Sequence, residues 1–498
     1  MVKYKSSTSD ELFLRDGSPR PAAIALMNCI NQLDQHELIE RKRAAELAIK
    51  QMGITFSVYS GDDSQDRDWP FDIIPRVIDS NEWVKIKAGL LQRLKALNLF
   101  IADLYNEQQV IADGVLPAAL IETSNNFLDQ CRGIRPKHDV WAHICGCDLV
   151  RDQDDELYIL EDNLRVPSGV SYMLENRAIM KRIWPEAFNS SRVLPVEDYI
   201  TSLSHMLRSL SDASDPLICV LTPGVYNSAY FEHSLLARQL GAELVEGHDL
   251  LVGQDECVYA RNVNGLKQVD VIYRRIDDEY LDPECFNPAS KLGVPGLMRA
   301  WRAGNVAIAN APGAGVADDK VIYSYVPDFI RYYLNEEPLI KNVLTYNCEN
   351  TKHREYVLDN IQKMVIKPAN GSGGSGLLFG NRSDTKQRSN AQQLILANPR
   401  DYIAQPIVAI STCPTLIDDT LLPRHVDFRP FILQSDVLRI TTGGLTRVAL
   451  GEGSLVVNSS QGGGSKDTWI VETDKQSNSL AGMTVKASTQ SQHLSAQL

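Results

Sequence analysis

Leu90, Leu94, Leu97, Ile101 and Leu104 follow one another at intervals of three or four, the spacing that stacks apolar side chains on one helix face. Ser80 offers an N-cap hydroxyl upstream, so the pattern predicts an amphipathic core helix starting there. Near residue 140 the period changes. Residues 140–144 and 156–160 read as strands around a polar turn, Arg151-Asp152-Gln153-Asp154-Asp155. Between 216 and 275 the rhythm is strand, helix, strand. Leu217-Ile218-Cys219-Val220-Leu221 is a short apolar run broken by Thr222-Pro223-Gly224, residues 232–240 are helical, and strands follow at 242–245 and 269–273. That alternation predicts a parallel sheet.

Further on, an Ala, Gly and Pro-rich stretch at 309–315 leads to Ala317-Asp318-Asp319-Lys320 and a helix. Met364-Val365-Ile366-Lys367 reads as a strand entering a glycine-rich loop, and strands are expected at 402–405, 427–433, 437–442 and 454–458. Past residue 475, Ser, Gln, Thr and Lys dominate and periodicity vanishes, which predicts a disordered tail.

The chain has 498 residues, a net charge of -13 and nine cysteines. So acidic a balance argues against a general nucleic-acid binder, which needs a basic face, but leaves room for one basic pocket around a small polyanion. No apolar run approaches the roughly 18 to 20 residues that span a bilayer, and no apolar signal core follows the first lysines. A cytoplasmic protein with neither nucleic-acid nor membrane partners is expected. The cysteines are scattered. Cys145-x-Cys147 lacks the second pair or spaced histidines of a zinc site, and reads as packing.

Four constellations could carry chemistry. Lys367-Pro368-Ala369-Asn370-Gly371-Ser372-Gly373-Gly374-Ser375-Gly376 puts a lysine on a strand before successive glycines, whose backbone N–H groups can turn toward phosphate. Because the lysine precedes the glycines, this is no Walker loop. Asp148 and Glu161-x-Asn163 would meet across the hairpin, since residues two apart share a strand face. Such hard oxygen donors suit Mg²⁺, although a solvated acidic hairpin has the same composition. Arg165, Arg274, Arg275, Arg429 and Arg447 sit near turns and strand ends, where a guanidinium fork could stabilise a moving phosphoryl group or simply be structural. Asn458-Ser459-Ser460-Gln461-Gly462-Gly463-Gly464-Ser465-Lys466-Asp467 is either a loop beside a ligand or a structural turn. No Gly-x-Ser-x-Gly elbow supports a catalytic triad.

Together and in order, several stretches resemble the circularly permuted ATP-grasp family related to glutathionylspermidine synthase. They are Asp16-Gly17-Ser18-Pro19-Arg20-Pro21, Leu160-Glu161-Asp162-Asn163-Leu164-Arg165-Val166-Pro167-Ser168-Gly169, Leu221-Thr222-Pro223-Gly224-Val225-Tyr226-Asn227-Ser228-Ala229-Tyr230, Tyr273-Arg274-Arg275-Ile276-Asp277, Val316-Ala317-Asp318-Asp319-Lys320 and residues 458–466. The order supports permutation: Glu161-x-Asn163 precedes Lys320 and Lys367, where the usual ATP-grasp order is the reverse.

The resemblance implies an α/β (α+β) fold, a circularly permuted ATP-grasp with a central Rossmann-like pre-ATP-grasp domain. Residues 1–200 would include the metal-binding part of the core, 201–300 the α/β domain, 301–475 the nucleotide lobes, and 476–498 the tail. It implies that Lys320 and Lys367 hold ATP phosphates. Gly371, Ser372, Gly373 and Gly374 would belong to a mobile closing loop, and Gln405 and Ile407 to the hinge near adenine. Asp148, Glu161 and Asn163 would bind Mg²⁺. Arg447 would stabilise the transferred phosphoryl group, with Arg429 and Arg165 as further candidates.

The implied reaction joins a small-molecule or peptide carboxylate to an amine. A phosphotransferase on the same fold and a non-catalytic ATP-binding regulator are the alternatives. One departure stands out: Gly146 replaces the arginine that glutathionylspermidine synthases carry two residues before the metal aspartate. Arg165, Arg274 or Arg275 are the expected substitutes.

Overall fold

In a computed structural model, which describes residues 4–6, 8–60, 63–263, 265–371, 376–458, 462–473 and 485–486, β1 (Phe71–Asp79) runs directly into α1 (Ser80–Tyr105). The cap is one residue earlier than expected. Asp79 accepts the Asn81 N–H at 2.7 Å, and Ser80 is already helical. Leu90, Leu94, Leu97, Ile101 and Leu104 are all buried in one large core cluster. A helix covered on several sides needs apolar residues beyond one stripe, and Trp83, Ile86 and Phe100 supply them.

The hairpin β2 (Ile144–Arg151) and β3 (Leu157–Asn163) forms around the expected turn, but β2 starts where the predicted strand ended. Among the described residues, 140–143 form no ladder, although the Gln434 N–H donates to the His143 carbonyl at 2.8 Å. Asn98 Oδ1 accepts the Trp141 and Ala142 N–H groups at 2.9 and 2.8 Å, and Asn310 Oδ1 accepts those of His143 and Ile144, both at 2.7 Å. Side-chain amides thus satisfy buried backbone that a ladder would otherwise need to satisfy.

The central α/β unit follows its rhythm. β4 (Ile218–Leu221), α2 (Tyr230–Leu240), β5 (Glu243–Val245), β6 (Val271–Arg274) and β7 (Ala307–Ala309) give a parallel sheet in the order β7-β6-β4-β5. The short α3 (Lys320–Tyr323) follows. Then β8 (Met364–Pro368) and β9 (Tyr402–Pro406) pair antiparallel, flanked by Leu378–Phe379 and Tyr346–Asn347, in a small separate sheet.

The rest of the chain returns to the hairpin. β10 (Thr412–Ile417), β11 (Thr420–Arg429), β12 (Phe431–Gln434), β13 (Val437–Ile440), β14 (Leu445–Val448) and β15 (Gly464–Val471) join β1, β2 and β3, with the short strands Lys341–Asn342 and Val485–Lys486, in one sheet of eleven strands among the described residues. The strand expected at 427–433 is divided at Pro430, which has no N–H for a ladder. β11 goes on to pair with β14, while β12 pairs with β2.

Residues 454–458 are not a strand. The strand is β15, buried at every position and parallel to β1. Its polar residues hid it from the pattern. Lys466 bonds Asp72 and the Pro414 carbonyl (2.8 Å), and Arg177 donates to Asp467 at 2.8 Å. Lys466 is therefore a structural cation, not a phosphate ligand. Of the segment past 475, only Val485 and Lys486 lie among the described residues, and they pair with β13.

Candidate active site

The β2–β3 register places Asp148 opposite Glu161 and Gly146 opposite Asn163. These four positions share one face of the hairpin, as the period of two requires. Cys145 and Cys147 pack behind it as free thiols, with sulfurs 3.7 Å apart.

Lys367 is the last residue but one of β8, and Lys320 opens α3, which is capped by Asp319. Lys320 Nζ donates to the Gly371 carbonyl at 2.5 Å and stands 3.7 Å from Glu161 Oε2. The Lys367 ammonium is buried and has no hydrogen bond or ion pair to any described residue. Burial lowers it to about 8, with Lys320 adding to the effect and Glu161 and Asp148 opposing it.

These groups line a cleft of about 980 Å³, together with Asp148, Arg447 and Gly371. Apolar side chains line it too: Leu160, Val365, Phe379, Pro406, Val408 and Leu455. Gln405 lies in the wall and donates to Thr345 at 3.0 Å. Ile407 is not part of the lining. Its N–H bonds the Lys363 carbonyl at 3.1 Å, and its neighbours Pro406 and Val408 face the cleft instead. Ser372, Gly373 and Gly374 lie outside the described residues.

A second cleft of about 1270 Å³ shares Glu161, Arg447 and Asn458 with the first. It is more polar, with Arg165, Ser168, Asn227, His233 and Asp277 in its walls. His233 gives up its charge because of burial and the nearby Arg275.

An ion-pair cluster divides the two clefts. Arg429 grips Asp148 with Nε at 2.5 Å and Nη2 at 2.7 Å, and Arg447 Nη2 reaches the same carboxylate at 2.6 Å. Arg447 is held in turn by Asp427, directly across the β11–β14 ladder. Burial alone would raise the Asp148 carboxyl, but the two arginines outweigh it and hold it well below the usual carboxylate range. Burial raises Asp427 despite Arg447. Asp148 lines only the first cleft and Arg429 only the second.

The expected substitutes for the arginine replaced at Gly146 are engaged elsewhere. Arg274 bonds the Asn310 and Ile276 carbonyls and Asp278, Arg275 bonds Glu232, and Arg165 bonds Asp318 at 2.9 Å. The side chain that lies over Gly146 is Arg429. A Cβ at 146 would come within 3.2 Å of Arg429 Cδ. Sequence reasoning did not single out Asp427 or Asp318 as partners. Asp427 had a signal, its spacing of two from Arg429. Asp318 had one in its place beside Asp319-Lys320.

Does the donor set fit a divalent cation? Glu161 is partly exposed and held only loosely, at 3.7 Å or more, by Lys320 and Arg429. Asn163 donates its amide N–H to the Gly146 carbonyl at 3.2 Å, which leaves its oxygen to ligate. These oxygens fit Mg²⁺, which takes one or two carboxylates and fills the rest with phosphate and water. Asp148 fits only if an arginine releases it. Among the described residues no cluster of three His, Cys, Asp or Glu forms a ready-made metal cage, and no helix is long and apolar enough to cross a membrane.

The chain is 51% identical over 470 residues to an uncharacterized protein of Synechocystis, covering 94% of this chain and 98% of that one. A Mycobacterium tuberculosis protein is 49% identical over 468 residues, covering 93% and 84%. A Frankia casuarinae protein described as a putative glutamate–cysteine ligase is 41% identical over 473 residues, but the match spans 94% of this chain and only 54% of that one. Among solved structures, a glutathione synthetase-like effector of Globodera pallida superposes with a TM-score of 0.56 at 12% identity, covering 88% and 98%. That likeness speaks to fold alone. Residues 75–449 match the family described as circularly permuted ATP-grasp type 2. With two lysines on the first cleft, Glu161 lining both clefts, Asn163 lining the second, and the hairpin preceding the lysines in the chain, this chain belongs to that family.

Proposed function

We propose that the protein is an ATP-dependent carboxylate–amine ligase that works through an acyl phosphate. The observation that carries this reading is the junction of the two clefts. One cleft combines apolar side chains suited to a base with two lysines suited to phosphates. The other opens onto the same charged cluster.

Lys320 and Lys367 would hold the phosphates, the latter as an ammonium that gains its partner only then. Arg447, fixed by Asp427, would face the charge that develops on the transferred group. Glu161 and Asn163, with Asp148 once released, would hold Mg²⁺, which when bound neutralises phosphate oxygens.

A carboxylate oxygen from the second cleft attacks the γ-phosphorus, and the bond to the ADP oxygen breaks. An amine then attacks the acyl carbon, phosphate leaves, and the amine proton passes to solvent. The protein's part is positioning and charge, and no side-chain nucleophile is needed. The family and the ligase name of the half-matched Frankia relative support the reaction class. Amino acids and small peptides are the pools the ligase name suggests, and polyamines follow only from the resemblance to glutathionylspermidine synthases.

The test is ADP and phosphate release from Mg-ATP with those pools. Stimulation by an amine-containing pool, lost in Glu161→Ala, is the expected outcome. AMP and pyrophosphate as products would overturn the reading. A stable phosphorylated compound formed without an amine would favour a phosphotransferase.

A further inference from the structure

The fit of Asp148 to a cation is incomplete as the side chains stand. Both of its oxygens are engaged by guanidinium groups, so it can ligate a metal only if one arginine yields. Arg447 is the anchored one, since Asp427 on the facing strand engages both its Nε and Nη2. Arg429 is not anchored in this way. Its next carboxylate among the described residues is Glu161, at 3.9 Å and out of hydrogen-bond reach, and its one carbonyl contact, Ser168, is at 3.3 Å.

We propose that Arg429 is the receptor for the carboxylate to be activated, and that Asp148 stands in for that carboxylate until a divalent cation claims Asp148. This rests on the ligase reading above. The two-point grip of Arg429 on Asp148 is the geometry a guanidinium uses for any carboxylate. Because Arg429 borders the second cleft and Asp148 the first, the exchange puts the incoming carboxylate beside the nucleotide's polar pocket. A divalent cation and a carboxylate enter as one buried ion pair separates, so each separated charge gains a new partner, and the one extra positive charge faces the pocket that would hold the nucleotide's phosphates. Gly146 makes the arrangement possible. A Cβ there would lie 3.2 and 3.3 Å from Arg429 Cδ and Cγ and 3.5 Å from Pro167 Cβ. Gly146 is thus a positioning residue for Arg429.

The test is binding of Mn²⁺ alone to the full chain, read by electron paramagnetic resonance of the free ion. Arg429→Gln is expected to bind Mn²⁺ about tenfold or more tightly than wild type, the scale of a charge-assisted contact removed from Asp148. Acetate, as the probe carboxylate, is expected to tighten Mn²⁺ binding to wild type and to leave Arg429→Gln unchanged, because coupling between two ligands is reciprocal. Gly146→Ala, which keeps the guanidinium but displaces it, should shift Mn²⁺ affinity the same way, and it carries the test if Arg429→Gln does not fold.

Unchanged or weaker Mn²⁺ binding in the folded variants would overturn the proposal, as would an acetate effect that survives in Arg429→Gln. Calorimetry of ATP binding to wild type separates the two readings. If ATP does not bind, the ligase reading falls and this inference with it. If ATP binds and the Mn²⁺ shifts are absent, only this inference falls.

Discussion

Lys367 holds a buried ammonium with no described partner, and burial sets it at about 8, below the ordinary 10.5. Below pH 8 the folded protein bears the full cost of that charge. Between 8 and 10.5 the unfolded chain binds more protons, so this residue makes stability rise with pH across that window. A bound phosphate reverses the preference, so above pH 8 nucleotide binding must take up a proton. ATP affinity, measured by calorimetry in buffers of different ionisation enthalpy, is expected to fall by up to about tenfold per pH unit above 8, with proton uptake. Lys367→Met should abolish both the slope and most of the affinity. A flat profile in wild type would mean that the lysine does not meet phosphate.

At this scale the hairpin was legible in the sequence. Glu161-x-Asn163 and Asp148 needed only the period of two and a turn between them. The grip of Arg429 on Asp148 was not legible, because it joins residues 281 apart and depends on the missing side chain at Gly146.

Among the elements, those with a regular period were the most legible. α1 and the central parallel sheet emerged from their apolar spacing, with ends displaced by a residue or two where a different cap or a turn decided. β15 was obscured because its buried positions include Lys466 and Asp467, whose charges are cancelled by Asp72 and Arg177 from distant parts of the chain. That cancellation gives a stability prediction. Lys466→Ala leaves Asp72 buried without its cation and is expected to cost about 3–5 kcal/mol. Thermal melting should show a large loss, and Asp72→Asn in the same chain, which removes the charge but keeps an acceptor for the Leu416 N–H, should recover part of it. A mild effect of the single substitution would mean water reaches the pair. The segment at 140–143 is the opposite case: its composition suits a strand, yet the amides of Asn98 and Asn310 take its N–H groups, and no local pattern encodes that.

Over the whole molecule, the permuted order was visible because Glu161 precedes both lysines. How the pieces interlock was not, since strand pairing between distant segments leaves no local trace. The large sheet sets β2 and β3 from the first third of the chain beside strands from the last, with β12 paired to β2 and β15 to β1. Residues 301–475 expressed alone would lack those strands from their sheet. They are expected to be insoluble or to lack a folded circular dichroism spectrum, and co-expression with 1–300 should restore both. Independent folding of 301–475 would show that the hairpin only adds to a finished lobe.

The wall between the clefts consists of the Arg429–Asp148–Arg447 cluster, whose members are carried on strands of a single sheet. Opening it calls for side-chain rotation with the backbone at rest. Exposed side chains change rotamer in picoseconds to nanoseconds, but Asp148 is buried and doubly held, so its ion pairs must break first. Any exchange between the two chambers is then paced by the lifetime of that buried ion pair.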